Sequence, residues 1–215
     1  MIVVIQCAAR KQPVPRSFYG PPDGRRVHFV ADPAAAPHDP TLIYVRPDDR
    51  FDDDKTWRDQ LLMYNRFRAS NWHDMYPAYQ LYDNKTYDRL VRKFTVRGVY
   101  ILSAGWGLVS ADFLLPHYDI TFSPSAEPYA RRRKSDRYND FRMLPDATDD
   151  HVIFFGGKDY VPLFCNLTQN VRGPRTVFYN SATPPEAPGC KLVTYETSTR
   201  TNWHYECANA FLDRN

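Results

Sequence analysis

The chain has 215 residues, 43% of them hydrophobic, and a formal net charge of +3, enough apolar content for one domain around a single sizeable core. No run of about 18 apolar residues is present, which argues against a membrane-spanning helix, and MIVVIQCAARK carries its basic residues after its apolar ones, the wrong order for a signal peptide. Cys7, Cys165, Cys190 and Cys207 show neither CxxC nor CxH spacing, so a soluble, cytoplasmic protein with reduced thiols and no metal or cofactor is expected.

Ile2–Gln6 is a short β-branched run that predicts a strand buried on both faces of a parallel sheet, with residues 7–11 as its exit loop. Prolines and glycines punctuate residues 13–40, predicting an irregular insertion with short strands at 27–31 (VHFVA) and 42–45 (LIYV). Trp57, Leu61, Tyr64 and Phe67 recur near helical spacing, predicting a helix over 54–67 with Asp52, Asp53 and Asp54 at its positive N-terminus. Tyr87, Leu90, Val91 and Phe94 fit a second helix that ends before Gly98 and leads into a strand at 99–102. Strands at 152–155, 176–179 and 191–195, with helices at 160–167 and 202–212, complete an α/β chain: one domain over 1–215, with a mostly parallel central sheet flanked by helices.

Ligands of open α/β sheets bind outside the carboxyl ends of strands, which ranks the loops. The first is SAGWG, where Gly105 and Gly107 permit close backbone approach, Ser103 offers a hydroxyl and Trp106 a stacking surface; a tight turn with Trp106 in the core is the alternative. Just downstream, His117, Tyr118 and Asp119 bring an imidazole, a second stacking ring and a carboxylate to the same strand end. Asp119 is the candidate catalytic carboxylate, able to activate water or to stabilise an oxocarbenium-like charge, against the alternative of an Asp that bonds loop amides. GGKDY at 156–160 is a further glycine-containing strand exit, and no GxxxxGK[ST] is present. Before the last helix, Ser198, Arg200 and Asn202 can hold an anion, or Ser198 and Thr199 only cap the helix. Arg131, Arg132, Arg133, Lys134 and Arg137 form a basic run suited to a nucleic-acid backbone, or simply a solvated face.

Cys7 and Lys11 after the first strand, LYDNKTYDRL before the middle one, and ILSAGWGLV followed by YDIT resemble a family of bacterial and phage proteins with the pattern C…K, LY, ILSAxxGLV…YD. The middle motif is also similar to the glycosylase-like domain of archaeosine synthases and, more distantly, to the peroxide-stress YaaA proteins. These groups look related to the uracil-DNA glycosylase superfamily, whose members hydrolyse base–sugar bonds between a loop after the first strand and one after the last. The resemblance implies that fold, substrate contacts from Cys7 and Lys11, and a role for His204 like that of the histidine in the last loop of uracil glycosylases. It covers residues 1–11, 78–123 and, more loosely, the last two strands; residues 12–77 have no counterpart. The first loop here, QCAARK, carries no carboxylate, so the catalytic acid of a GQDPYH-type loop has no equivalent in it.

The reading that follows is a DNA glycosylase that excises a modified base, without a metal or an obligate protein partner: the basic run grips the backbone, Trp106 or Tyr118 stacks on the extruded base, and Asp119 and His204 serve the chemistry. A role in defence against phage would follow from an activity that leaves abasic sites in invading DNA. The alternatives are a hydrolase or transferase acting on free nucleosides or nucleotides, and a non-catalytic nucleic-acid-binding module.

Overall fold

The computed structural model describes residues 1–20, 24–67, 70–133 and 135–214. Strand β1 (Ile2–Gln6) is apolar on both faces and lies inside the sheet, pairing in parallel with β5 (Val99–Ser103) on one side and β10 (Val152–Phe155) on the other. Beyond β10 come β11 (Arg175–Tyr179) and β12 (Lys191–Thr194), also parallel. Beyond β5, β6 (Gly107–Ser110) turns back antiparallel, and β9 (Phe141–Arg142) completes a seven-stranded sheet of order β12-β11-β10-β1-β5-β6-β9.

Helices cover both faces, and β10 shows why. Side chains alternate across a strand, so Phe154 stacks on Phe164 of α4 (Val161–Leu167) at 4.6 Å between ring centres, while Phe155 packs on Phe211 of α5 (Trp203–Arg214) at 5.5 Å. Helix α3 (Lys85–Phe94) lies beside α5, against β1 and β5. Among the described residues no helix is long and apolar enough to cross a membrane.

The two short strands expected in the insertion form, and they are tied to the rest of the chain. Strands β2 (Arg26–Val30) and β3 (Leu42–Val45) join β8 (Tyr118–Asp119) in a second, three-stranded parallel sheet, followed along the insertion by helix α1 (Trp57–Arg66). The pair β4 (Tyr76–Pro77) and β7 (Leu114–Leu115), together with α2 (Ala78–Leu81), ties the insertion to the main body. Phe29 packs on Trp57 at 5.9 Å and on Trp106 at 4.9 Å, so the insertion and the main sheet share one core. The start of α1 also differs from expectation: Thr56 and Asp59 form a reciprocal capping box, which satisfies two end amides, while Asp52 only closes the turn before it.

Candidate active site

The connections from β1 and β10 leave the sheet toward opposite sides, so the carboxyl ends of these neighbouring strands frame a crevice. Gln6 spans it, its Oε1 accepting the Gly157 N–H at 2.6 Å. Around that bridge lies a cleft of about 620 Å³, walled by the β1 exit, residues 121–124, the GGKDY turn and the start of α5. Cys7 meets the Tyr160 hydroxyl at 3.3 Å in its floor, and Arg10 at the rim pairs with Asp83 at 2.7 Å. Arg200 and Asn202 from the last loop, and His204 from the first turn of α5, all reach the cleft. His204 is 4% exposed, its Nε2 has no partner among the described residues, and burial pulls its pKa down to about 4. At neutral pH this imidazole is uncharged and serves as a hydrogen-bonding group.

Beside the cleft, residues from three sequence motifs meet around the Tyr118 ring. The Lys11 ammonium lies 4.4 Å from the ring centre and 3.9 Å from Asp119 Oδ1. The Tyr118 hydroxyl accepts from Ser103 Oγ at 2.8 Å and meets the Tyr82 hydroxyl at 2.8 Å. Asp119 is 46% exposed at its side chain, and its Oδ2 lies 2.9 Å from His28 Nε2. The His28 hydrogen bond, and after it the Lys11 charge, hold the Asp119 carboxyl below its usual range despite partial burial; burial in turn pulls the Lys11 ammonium down. Asp119 is therefore an oriented, ionised carboxylate. It stands outside the cleft wall, and Thr121, two residues on, lines it.

The SAGWG loop is a scaffold, contrary to the ligand platform expected. Trp106 is 0% exposed, so it has no face free for a base. Ser103 Oγ already accepts the Gly105 and Trp106 amides at 3.2 and 3.1 Å. The carbonyls are taken by buried arginines: Arg58 donates to Gly105 and Trp106 while paired with Asp48, and Arg132 donates to Ala104 while paired with Asp140. Both glycines serve packing. A Cβ at Gly105 would press on Tyr118 and Ile120, and Gly107, at φ +86°, would place one 2.6 Å from the Phe141 backbone.

Other expectations divide in the same way. His117 is a buried joint between the insertion and the sheet, accepting the Arg16 N–H at Nδ1 (3.0 Å) and meeting the Gln12 carbonyl through Nε2 (2.8 Å). Tyr118, 1% exposed, offers no stacking face to a ligand. Ser198 is exposed and outside the cleft, and instead of capping α5, Thr199 joins Thr197 in donating to the Glu206 carboxylate. In the basic run Arg132 is withdrawn into its ion pair, and Lys134 lies outside the described residues. Arg131, Arg133 and Arg137 are exposed and line two hollows of about 340 and 530 Å³. Those hollows share Phe122 and Asp159 as walls, and Pro124 and Asp159 also line the cleft, so arginine-lined hollows adjoin it.

Sequence reasoning missed His28, Gln6, Arg10 and Asp159. His28 sits in the insertion, whose strand pairing no local pattern announces. Gln6 had a readable signal, a polar residue closing an otherwise apolar strand. Comparison with known protein families, with curated proteins and with solved structures finds no match.

Proposed function

We propose that this chain hydrolyses N-glycosidic bonds in DNA, on a fold of the uracil-DNA glycosylase type. The observation that carries the reading is the adjacency, across the shared walls Pro124 and Asp159, of the cleft at the β1/β10 crevice and the hollows lined by Arg131, Arg133 and Arg137. Arginines beside a cleft suit a phosphate backbone, and the cleft has the volume of a small-molecule site, as an extruded nucleotide requires. As the base departs with the bonding electrons, positive charge grows at the sugar, and an ionised carboxylate stabilises it and accepts the proton of the attacking water. Asp119 suits that role because His28 and Lys11 fix its charge and orientation, and since it stands outside the cleft wall, the sugar must extend past Thr121 to meet it. Neutral His204 and Asn202 are hydrogen-bonding partners for the departing base, and Cys7 and Tyr160 floor the cleft.

Asp136, Asp140 and Asp159 in the larger hollow favour a second reading, in which the substrate is a free nucleoside and the arginines are locally neutralised. Incubation with genomic DNAs of differing base modification, with alkaline strand cleavage and mass spectrometry of released bases, tests both. Strand breaks with wild type, and their loss by about a hundredfold or more in Asp119→Asn, are the expected result. Base release from nucleosides but not from DNA would move the assignment to the second reading, and no release from either would remove the chemistry altogether.

A further inference from the structure

Far apart in sequence and without a redox spacing, Cys165 and Cys190 are brought together by the fold, their sulfurs 3.9 Å apart. Cys165 is buried on α4, and Cys190 is half-buried in the turn that enters β12. Arg175 sits between the two segments. Its guanidinium donates to the Cys165 carbonyl (3.5 Å), to Thr168 Oγ1 (3.1 Å) and to the Pro188 carbonyl (3.2 Å), with Gly189, at φ +71°, lying against it.

We propose that Cys190 and Cys165 form a reactive dithiol that closes to a disulfide on reaction with low-molecular-weight disulfides, Cys190 attacking and Cys165 resolving. Reactive cysteines occupy electropositive, partly exposed settings, and a thiolate rather than a thiol attacks. The Cys165 hydrogen bond and then the Arg175 charge pull the Cys190 thiol down to about 7, against its partial burial. Cys165 is pushed the other way, by that same hydrogen bond and by burial. In the first step the Cys190 sulfur bonds to one sulfur of the small disulfide, whose S–S bond breaks and whose other half leaves as a thiolate that takes up a proton. In the second, Cys165 gives up its proton, its sulfur bonds to Cys190, and the remaining half leaves as a thiol. Two protein thiols are oxidised and one small disulfide is reduced to two thiols. Closure requires the sulfurs to move from 3.9 Å to the disulfide bond length of about 2.05 Å. The product ties α4 to the edge strand β12, one turn from the Asp159 and Tyr160 wall of the cleft.

Cys7 and Cys207 are built-in controls, both buried, with burial pushing the Cys207 thiol up to about 12. The full native chain is treated with glutathione disulfide, alkylated, denatured, alkylated again with a second reagent, and digested with trypsin. Wild type should lose two of its four thiols, and the peptides holding Cys165 and Cys190 should appear joined. Cys165→Ser should stop at one glutathione adduct on Cys190, and Cys190→Ser should retain all three remaining thiols. Retention of four thiols in wild type, or a first adduct on Cys7, Cys165 or Cys207, would overturn the proposal. Reversal by dithiothreitol and an unchanged far-ultraviolet spectrum separate the closed pair from unfolding.

Discussion

His204 illustrates how far surroundings redirect a side chain. Its pKa falls from the ordinary 6.5 to about 4 through burial alone. Between those values the unfolded chain binds a proton that the folded chain refuses, so this contribution to stability is fully present above pH 6.5 and is lost as pH falls toward 4. The size is roughly 3 kcal/mol. Denaturant midpoints should therefore drop from pH 7 to pH 4.5 in wild type, and His204→Gln should flatten that drop; an equal drop in both proteins would place the pH dependence elsewhere. Asp119 has the opposite charge logic. Its carboxyl is held low by His28 and then by Lys11, so whatever Asp119 contributes persists above the ordinary carboxylate range and disappears only as pH falls through the lowered folded value. Replacing His28 with Gln should carry the acid limb of the base-release profile upward in pH, and an unmoved limb would show that another group governs it.

The SAGWG turn depends as a whole on two ion pairs, Arg58 with Asp48 and Arg132 with Asp140. Removing one partner of a buried pair strands the other and, here, the turn's carbonyls. Arg58→Ala or Arg132→Ala should each cost about 3 to 5 kcal/mol, whereas Arg133→Ala, on an exposed neighbour, should stay within about 0.5 kcal/mol; urea titration reads both. Equal small effects would mean that the turn holds without its arginines. Elements of this kind mark the boundary of what the sequence discloses. Apolar runs such as IVVI and VIFF and the helical repeat of Tyr87, Leu90 and Phe94 follow from local periodicity, and they fall in the strands and helix expected. The pairing order does not follow from periodicity, because it depends on which distant run each strand meets. Without that order the strand-exit rule selected SAGWG, while the crevice lies between β1 and β10, at the QCAARK and GGKDY exits. The same limit hid the insertion's role: β2 pairs with β8 and so delivers His28 to Asp119.

At the scale of the whole molecule, a net charge of +3 is too small to steer a polyanion by itself, so any DNA affinity must come from how the charges are arranged. Arg131, Arg133 and Arg137 line two adjoining hollows beside the cleft, and Arg10 and Arg200 line the cleft itself. Each arginine that meets a phosphate releases condensed counterions, giving a slope of about −0.9 in log affinity against log salt for each contact. Reversing Arg131, Arg133 and Arg137 to Glu, with Arg132 left intact to preserve its pair with Asp140, should weaken duplex binding and reduce the magnitude of that slope by up to about 3. Hydrolysis of a free nucleoside, if the chain catalyses it, should change little, since such a substrate occupies the cleft without reaching the hollows. An unchanged salt slope together with retained activity would show that the hollows carry no phosphate, leaving the cleft as a site for free nucleosides.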